Sequence, residues 1–431
     1  MASTEETTLP ANADEVALRL APEATASSFN EYLRAWVLRV RNGESGMLPV
    51  LGGLIVIVIV FQIEKSIFLS AANLTNLFTQ AATYILFGMA EVFVLLLGEI
   101  DLSIGYVGAV SAVVTVATAA PPGNHPWWIA VIAGVVVGTV IGAIQGALVT
   151  VLRVPSFVVT LAGLLGWEGA LIALANREGG QNGGGSIRIT NKVLNDLVYG
   201  DLSVTAGWVI LIVGVVGFAA FSLMRDRNRR SHGLVTPPLG LTLLRIGMVA
   251  VAGLVLVLIC NTNRGRVIHH PVQGVPWVIL IVLGTFALWT ALLGRSRFGR
   301  YIYAIGGNAE AARRAGINLT RIRIAAFALT GTTAALGGII LASQLGSISN
   351  NVDGGQLVLY AVAAAVIGGT SLFGGRGRML YAVVGGLVIA TIANGMGLIG
   401  LTAQQQYMVT AGVLLLAATV DAIGRRNATS R

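Results

Sequence analysis

The chain has 431 residues, of which 55% are hydrophobic, 11% are charged and 55 are glycine, and its formal net charge is +9. Soluble domains carry about 25% charged residues, so this composition excludes a soluble globular protein. Its long apolar runs require helical spans of about 20 residues rather than a β-barrel, because hydrocarbon offers no partner to an unpaired backbone group. The basic residues sit at the ends of apolar runs and not on one polar patch; they report orientation and contact with the lipid bilayer, and no nucleic-acid partner is expected. The single cysteine, Cys260, excludes an internal disulfide.

Residues 1–46 are polar, begin with acids and have no small-residue cleavage site before the first apolar run, so no signal peptide is expected. Ser28 and Glu31 have capping-box spacing, and Phe29, Leu33, Trp36, Val37 and Val40 recur on one helical face opposite Arg34, Arg39 and Arg41. A helix lying on the cytoplasmic membrane surface and a frayed cytoplasmic tail both fit this stretch. The apolar runs then predict about twelve spans, within a range of ten to fourteen, over a transmembrane domain of 47–426: 48–63, 79–98, 103–120, 127–152, 156–174, 206–224, 242–260, 276–293, 324–343, 357–373, 378–399 and 406–423. Residues 427–431 form a short tail. Counted from an inside start, 22 of the 28 Lys and Arg fall on cytoplasmic segments. The other six, Lys65, Arg177, Arg188, Lys192, Arg264 and Arg266, fall outside, which places both termini in the cytoplasm. The expected fold is all-α, a polytopic helical membrane protein.

Two external loops stand out. Residues 175–205 hold the glycine-rich run Gly179–Gly185 and then Ile187, Ile189, Val193, Leu194 and Leu197 among polar residues, a flexible start followed by an amphipathic piece. In 261–275, His269 and His270 are adjacent and point apart on a helix, which makes a poor metal site.

Inside the apolar regions Glu91, Glu99 and Asp101 are conspicuous, since an ionisable group at membrane depth costs a few kcal/mol or more and marks a pathway or a paired site. Asp101 precedes Leu102-Ser103-Ile104-Gly105, where a carboxylate caps free N–H groups and favours the helix dipole. Glu91 suits either a buried hydrogen-bonded role or a pathway role, and Glu99 stands where it can reach cytosolic water. A weak repeat relates Gly98–Gly105 to Gly368–Gly375, which share Gly, Asp or Ser (Asp101 and Ser371), Leu and Gly at the same offsets. Paired glycine-interrupted turns in two halves point to a translocation site. Gln344 and Asn394 can bond the hydroxyls of a solute or tie spans together. No GxxxxGK[ST] loop or catalytic constellation occurs, so the chain is not read as an enzyme.

The loop 294–323 between two apolar runs carries seven arginines and one acid, Glu310. Within it Asn308–Ala315 predicts a short helix with Asn308 as its N-cap and Gly316 as its stop. On charge alone this loop needs no task beyond setting topology. Its wording adds more. The runs Gly299-Arg-Tyr-Ile-Tyr-Ala-Ile-Gly-Gly-Asn308 and Ala311-Ala-Arg-Arg-Ala-Gly-Ile317 resemble the cytoplasmic coupling loop of bacterial ABC-importer permeases for monosaccharides. Glu99–Gly105, Arg153–Leu161, Val366–Leu372, Asn394-Gly-Met396 and Val420-Asp421 resemble the same family, over about residues 70–426. Glu99 before Ile-Asp, and the basic stretch Met224–Arg230 leading to Gly233–Pro238 and an added span, are similar to its xylose-type branch. Trp167-Glu-Gly169 and Gly397 depart from the family's pattern.

The resemblance implies a pentose such as xylose as substrate; Glu91, Glu99, Asp101, Ser103, Gln344, Ser371 and Asn394, singled out above by charge, repeat and polarity, are the candidate pathway residues. It implies an ATPase subunit docked through Gly306, Gly307, Asn308, Ala311, Ala312 and Gly316, an extracytoplasmic sugar-binding protein, and a second permease copy in a homodimer or pseudo-dimer. No cofactor or metal is expected on this chain; ATP and Mg belong to the ATPase. The alternatives are an ion-coupled secondary transporter, with Glu91 and Asp101 as coupling groups, and a channel for a small polar solute.

Overall fold

The computed structural model describes residues 47–179, 184–234, 236–265 and 272–412, with 415 and 419. The helix expected after Ser28, the pair His269 and His270, and most of the span expected at 406–423 lie outside the described residues, although 403–412 is helical. In chain order the helices are α1 (Leu48–Glu64), α2 (Ala71–Leu95), α3 (Ile104–Ala119), α4 (Trp127–Val151), α5 (Ser156–Gly179), α6 (Lys192–Tyr199), α7 (Val204–Ser231) and α8 (Leu239–Asn261). Next come α9 (Trp277–Arg295), α10 (Arg297–Gly307), α11 (Ala309–Arg314), α12 (Leu319–Leu345), α13 (Gly354–Ile367) and α14 (Met379–Leu398). Eight of them, α2, α4, α5, α7, α8, α9, α12 and α14, are long and apolar enough to cross a membrane, and α1, α3 and α13 are shorter apolar helices.

The centre of the bundle is α12, which packs against α4, α2 and α3, while α14 and α13 close the other side of α2. Helix α4 carries a glycine at every fourth residue, Gly134, Gly138, Gly142 and Gly146, all of them on one helical face; the last three meet α12, and Gly134 meets Ser111 and Thr115 of α3. A Cβ on Gly142 would stand 2.1 Å from the Phe327 carbonyl oxygen, and one on Gly331 would stand 2.0 Å from that of Gly138. In lipid, where apolar burial gives helices little reason to associate, such close backbone approach supplies the packing. At the periphery α7 and α8 turn nearly all of their apolar length outward.

Several boundaries differ from the predicted spans for identifiable reasons. Helix α2 starts at Ala71 instead of 79, its N-cap Ser70 accepting from the Asn73 N–H. The polar residues that disguised this start are satisfied: Thr75 Oγ1 bonds the Ala71 carbonyl, and Asn73 bonds both the Phe68 carbonyl and Asn394. Helix α13 stops at Ile367 instead of 373, at Gly368 and Gly369, the latter with φ of 116°. Helices α5 and α7 run on to Gly179 and Ser231. The all-α expectation needs one amendment, the antiparallel pair β1 (Ser186–Arg188) and β2 (Ser347–Ser349). The loop 294–323 holds α10 as well as the expected short helix.

Candidate functional site

Helix α2 ends at Leu95, and Gly98, with φ of 76°, reverses the chain. The next residues climb back along α2, because the Asp101 N–H donates to Glu91 Oε1 at 3.2 Å. Helix α3 therefore begins inside the bundle, which is why it has only 16 residues. At its start Asp101 Oδ1 accepts from the Ser103 N–H at 2.9 Å and the Ser103 hydroxyl at 2.6 Å, and Gln145 of α4 donates to Ser103 Oγ at 2.7 Å. The expected capping by Asp101 takes the form of a turn onto Ser103, one step ahead of the helix, and the N-cap residue Ser103 makes no side-chain cap bond.

Glu91 is 0% exposed and Asp101 1%. Among the described residues neither carboxylate has a cation within ion-pair distance, and Glu91 Oε2 and Gln145 Oε1 have no hydrogen-bond partner. Helix α5 passes beside this network: a Cβ on Gly163 would stand 2.4 Å from Gln145 Nε2. Farther along α5, Glu168 lies beside the Tyr106 hydroxyl, with Asp353 nearby. Sequence reasoning missed Gln145 as a pathway candidate and took Glu168 only as a departure from a pattern. The available signal was a lone amide in the apolar run 127–152 and an acid at the middle of another.

The two repeated turns meet. The Gly375 N–H donates to the Leu96 carbonyl at 2.9 Å, and Cβ atoms on Gly98 and Gly374 would stand 3.3 Å from the Phe373 oxygen and 2.9 Å from the Gly98 nitrogen. Ser371 braces the second turn, its N–H donating to the Arg376 carbonyl at 2.8 Å and its hydroxyl accepting from the Phe373 N–H at 3.2 Å. The segment 294–323 rests on both turns at once. A Cβ on Gly306 would stand 1.8 Å from the Leu96 oxygen and 2.5 Å from the Gly375 nitrogen. The Tyr303 hydroxyl donates to the Gly377 carbonyl at 2.8 Å, and Glu99, instead of facing open solvent, pairs with Arg323 at 3.6 Å.

Gln344 and Asn394 lie elsewhere. Gln344 accepts from Thr83 at 3.2 Å, and Asn394 accepts from Asn73 at 2.9 Å and donates to Gln80 at 3.4 Å. At 1.5 Å per helical residue, Thr83 and Asn73 stand about 12 and 27 Å along α2 from Glu91. Both side chains tie helices together at successive depths.

In the 294–323 segment, Ser296 caps α10 through the Gly299 N–H at 3.0 Å, Asn308 caps α11 through the Ala311 N–H at 2.9 Å, and Gly316 ends it with φ of 81°. Ile302, Ile305 and Ala312 face inward, Ala312 being 4% exposed, while Gly307, Asn308, Ala311 and Gly316 face outward. Two of the six docking candidates, Gly306 and Ala312, thus seat the segment on its own bundle. On the outer side Glu310 bonds Arg313 at 2.9 Å and Arg314 at 3.2 Å, and the Arg313 bond holds its carboxyl below the ordinary range.

The geometry predicts a graded response at Asp101. Asparagine keeps an Oδ1 that accepts from Ser103, whereas alanine leaves a buried N–H and hydroxyl without an acceptor, at a cost of about 1–3 kcal/mol. The melting temperature of the purified protein should fall in the order wild type, Asp101→Asn, Asp101→Ala. Equal melting of all three would remove Asp101 from the turn.

The chain matches a family model described as branched-chain amino acid transport system / permease component over residues 73–418. It is 34% identical over 363 residues to the xylose transport system permease protein XylH of Escherichia coli (strain K12), covering 83% of this chain and 87% of the relative. It is 32% identical over 380 residues to the ribose import permease protein RbsC of Bacillus subtilis (strain 168), covering 87% and 94%. It is 29% identical over 369 residues to the D-allose transport system permease protein AlsC of Escherichia coli (strain K12), covering 85% and 88%. No solved structure is a significant match. With the match running from the start of α2 to beyond α14 and so taking in both turns and the segment seated on them, the chain belongs to this family of transport-system permease components.

Proposed function

We propose that this chain is the membrane-spanning permease subunit of an ATP-driven importer that carries a monosaccharide, a pentose such as xylose, across the bacterial cytoplasmic membrane. The observation that carries the reading is Gly306 wedged against Leu96 and Gly375, where one surface segment bears on both glycine turns. A displacement of that segment reaches the start of α3 through Gly98 and the start of α14 through Gly377. The names of the relatives support the monosaccharide.

In this reading 47–426 forms the permease domain with twelve crossings, α1, α3 and α13 being the short ones. Both termini and the 294–323 end are cytoplasmic, as the arginines require. A separate ATPase subunit, which holds ATP and Mg, docks on Gly307, Asn308, Ala311 and Gly316. The end carrying β1, β2 and α6 faces a sugar-binding protein, and a second copy completes the permease. The pathway runs past Glu91, Asp101 and Ser103, with Glu99 and Ser371 at its inner turns.

A second reading, an ion-coupled transporter, is favoured by the unpartnered Glu91 Oε2 beside Asp101. Proteoliposomes separate the two. Xylose uptake that requires the ATPase, the binding protein and ATP, and that survives a protonophore, is the expected result. Uptake by the chain alone, abolished by the protonophore, would overturn the importer reading.

A further inference from the structure

We infer that the outward stripe at the cytoplasmic end of α7 is a binding site for an anionic glycerophospholipid, whose phosphate lies between Arg225 and Arg229 and whose acyl chain lies along Phe221 and Met224. The stripe borders a groove of about 470 Å³ that Phe221, Met224, Arg225, Asn228, Arg229 and His232 line. These residues recur three and four apart and share one face of the helix. Along that face the chemistry changes in the order a phospholipid presents it. Phe221 and Met224 come first and are apolar and exposed, Arg225 and Arg229 come next with Asn228 between them, and His232 ends the stripe. Leu234, from the turn after the helix, folds over the groove as a further apolar wall.

The adjoining face of the same turns is occupied: Ser222 and Asp226 are buried, and Asp226 Oδ2 accepts from Thr242 of α8 at 2.7 Å. Arg225 bonds Asp226 Oδ1 through Nε and Nη2, both at 3.2 Å, which holds its guanidinium at the edge of the groove. Arg229 has no ion-pair partner among the described residues. A third cation comes from another element, since the Arg295 guanidinium at the end of α9 lies 4.3 Å from the centre of the Phe221 ring. With Arg227 and Arg230 on the same turns, this edge of the apolar span carries five arginines against the one buried acid Asp226, a charge excess complementary to a phosphate headgroup and repelling other cations. Arg295 also begins the 294–323 segment, so a lipid held here touches the part that Gly306 seats on the turns.

The leaflet rests on the orientation proposed above, but the test does not. The purified full-length chain in neutral detergent is titrated with phosphatidylglycerol, with phosphatidylcholine and with sn-glycerol 3-phosphate, and bound molecules are counted by native mass spectrometry. Phosphatidylglycerol is expected to bind in preference to phosphatidylcholine, and free glycerol phosphate not at all. The double variant Arg225→Gln/Arg229→Gln should weaken phosphatidylglycerol binding by roughly tenfold or more, while Arg188→Gln/Lys192→Gln at the other end of the bundle leaves it unchanged. Should the double variant fail to fold, Arg229→Gln alone, which removes no ion pair described here, carries the test with a smaller loss in the same direction. Equal binding of the two lipids, or unchanged binding in the folded variant, overturns the site. Glycerol phosphate bound as tightly as the lipid would reassign it to a soluble anion. Cytosol-only labelling of a cysteine at Gly307 checks the orientation separately, and neither readout involves ATP or sugar.

Discussion

Replacing Gly142 by leucine is expected to abolish the folded protein, leaving well under about one-tenth of the wild-type amount recoverable as a monodisperse peak from detergent. The Cβ of any new side chain at this position would stand 2.1 Å from the Phe327 carbonyl oxygen and 2.9 Å from its carbon, both of them backbone atoms. Overpacking costs about 1–3 kcal/mol where side chains give way, and here no side chain stands in the way, so α4 and α12 must separate. Separation would be transmitted widely, because α12 also contacts α2, where Thr330 Oγ1 donates to the Ala90 carbonyl at 3.1 Å, and α3, where a Cβ on Gly338 would stand 2.0 Å from the Gly108 oxygen. Even Gly142→Ala should lower the yield. Gly53→Leu and Gly214→Leu serve as controls, since a Cβ at either meets nothing within 4 Å. Size-exclusion chromatography of detergent extracts reads the outcome, and a Gly142→Leu yield equal to that of the controls would show that α4 and α12 do not touch through their backbones.

The order of apolar runs was legible in the sequence because each helix must hide its own backbone polar groups, whatever it packs against. Boundaries went astray where tertiary partners decide them. Asn73 near the start of α2 bonds Asn394, 321 residues away, as well as the local Phe68 carbonyl, and no local pattern reports the distant bond. The spacing of Gly134, Gly138, Gly142 and Gly146 is a packing face by its period, yet only the positions of Ser111, Gly331 and Phe327 show that α3 fills one end of it and α12 the rest. The two glycine turns were recognisable as a repeat because glycines fall at the same offsets, Gly98 with Gly368 and Gly105 with Gly375, although of these only Gly98 and Gly375 have positive φ. That they touch, and that Gly306 wedges between them, depends on three segments spread over some 280 residues. The carboxylates stood out by cost alone, whereas Gln145 closes their network by a contact that only the close approach of α3 and α4 creates. Helix α11 has only six residues, and its inward Ala312 and outward Ala311 are the same residue type, so periodicity does not distinguish them.

That distinction separates docking from seating. Ala311→Trp should leave a normally inserted, stable permease that neither retains nor stimulates its ATPase subunit. Ala311 is exposed on α11, one residue from an Ala312 that is 4% exposed, and successive residues on a helix point about 100° apart. Bulk at 311 therefore projects away from the bundle, and its cost to stability is the few tenths of a kcal/mol by which Trp is a poorer helix former than Ala. The Asn308 cap reaches the Ala311 N–H, a backbone group that survives the substitution. A rigid partner surface fitted to small residues, by contrast, has no room for an indole. Ala312→Trp is the counterpart: its side chain points at the core that Ile302 and Ile305 share, so it should lower the melting temperature and loosen the whole 294–323 segment, and any loss of ATPase binding would follow from that. Pull-down of the ATPase in excess and its transport-coupled ATP turnover, read beside the melting temperature of each variant, distinguish the two. Wild-type binding and turnover in Ala311→Trp would mean that the outward face of α11 is not where the ATPase docks, and the importer assignment would then rest on the family relationship and the wedge at Gly306.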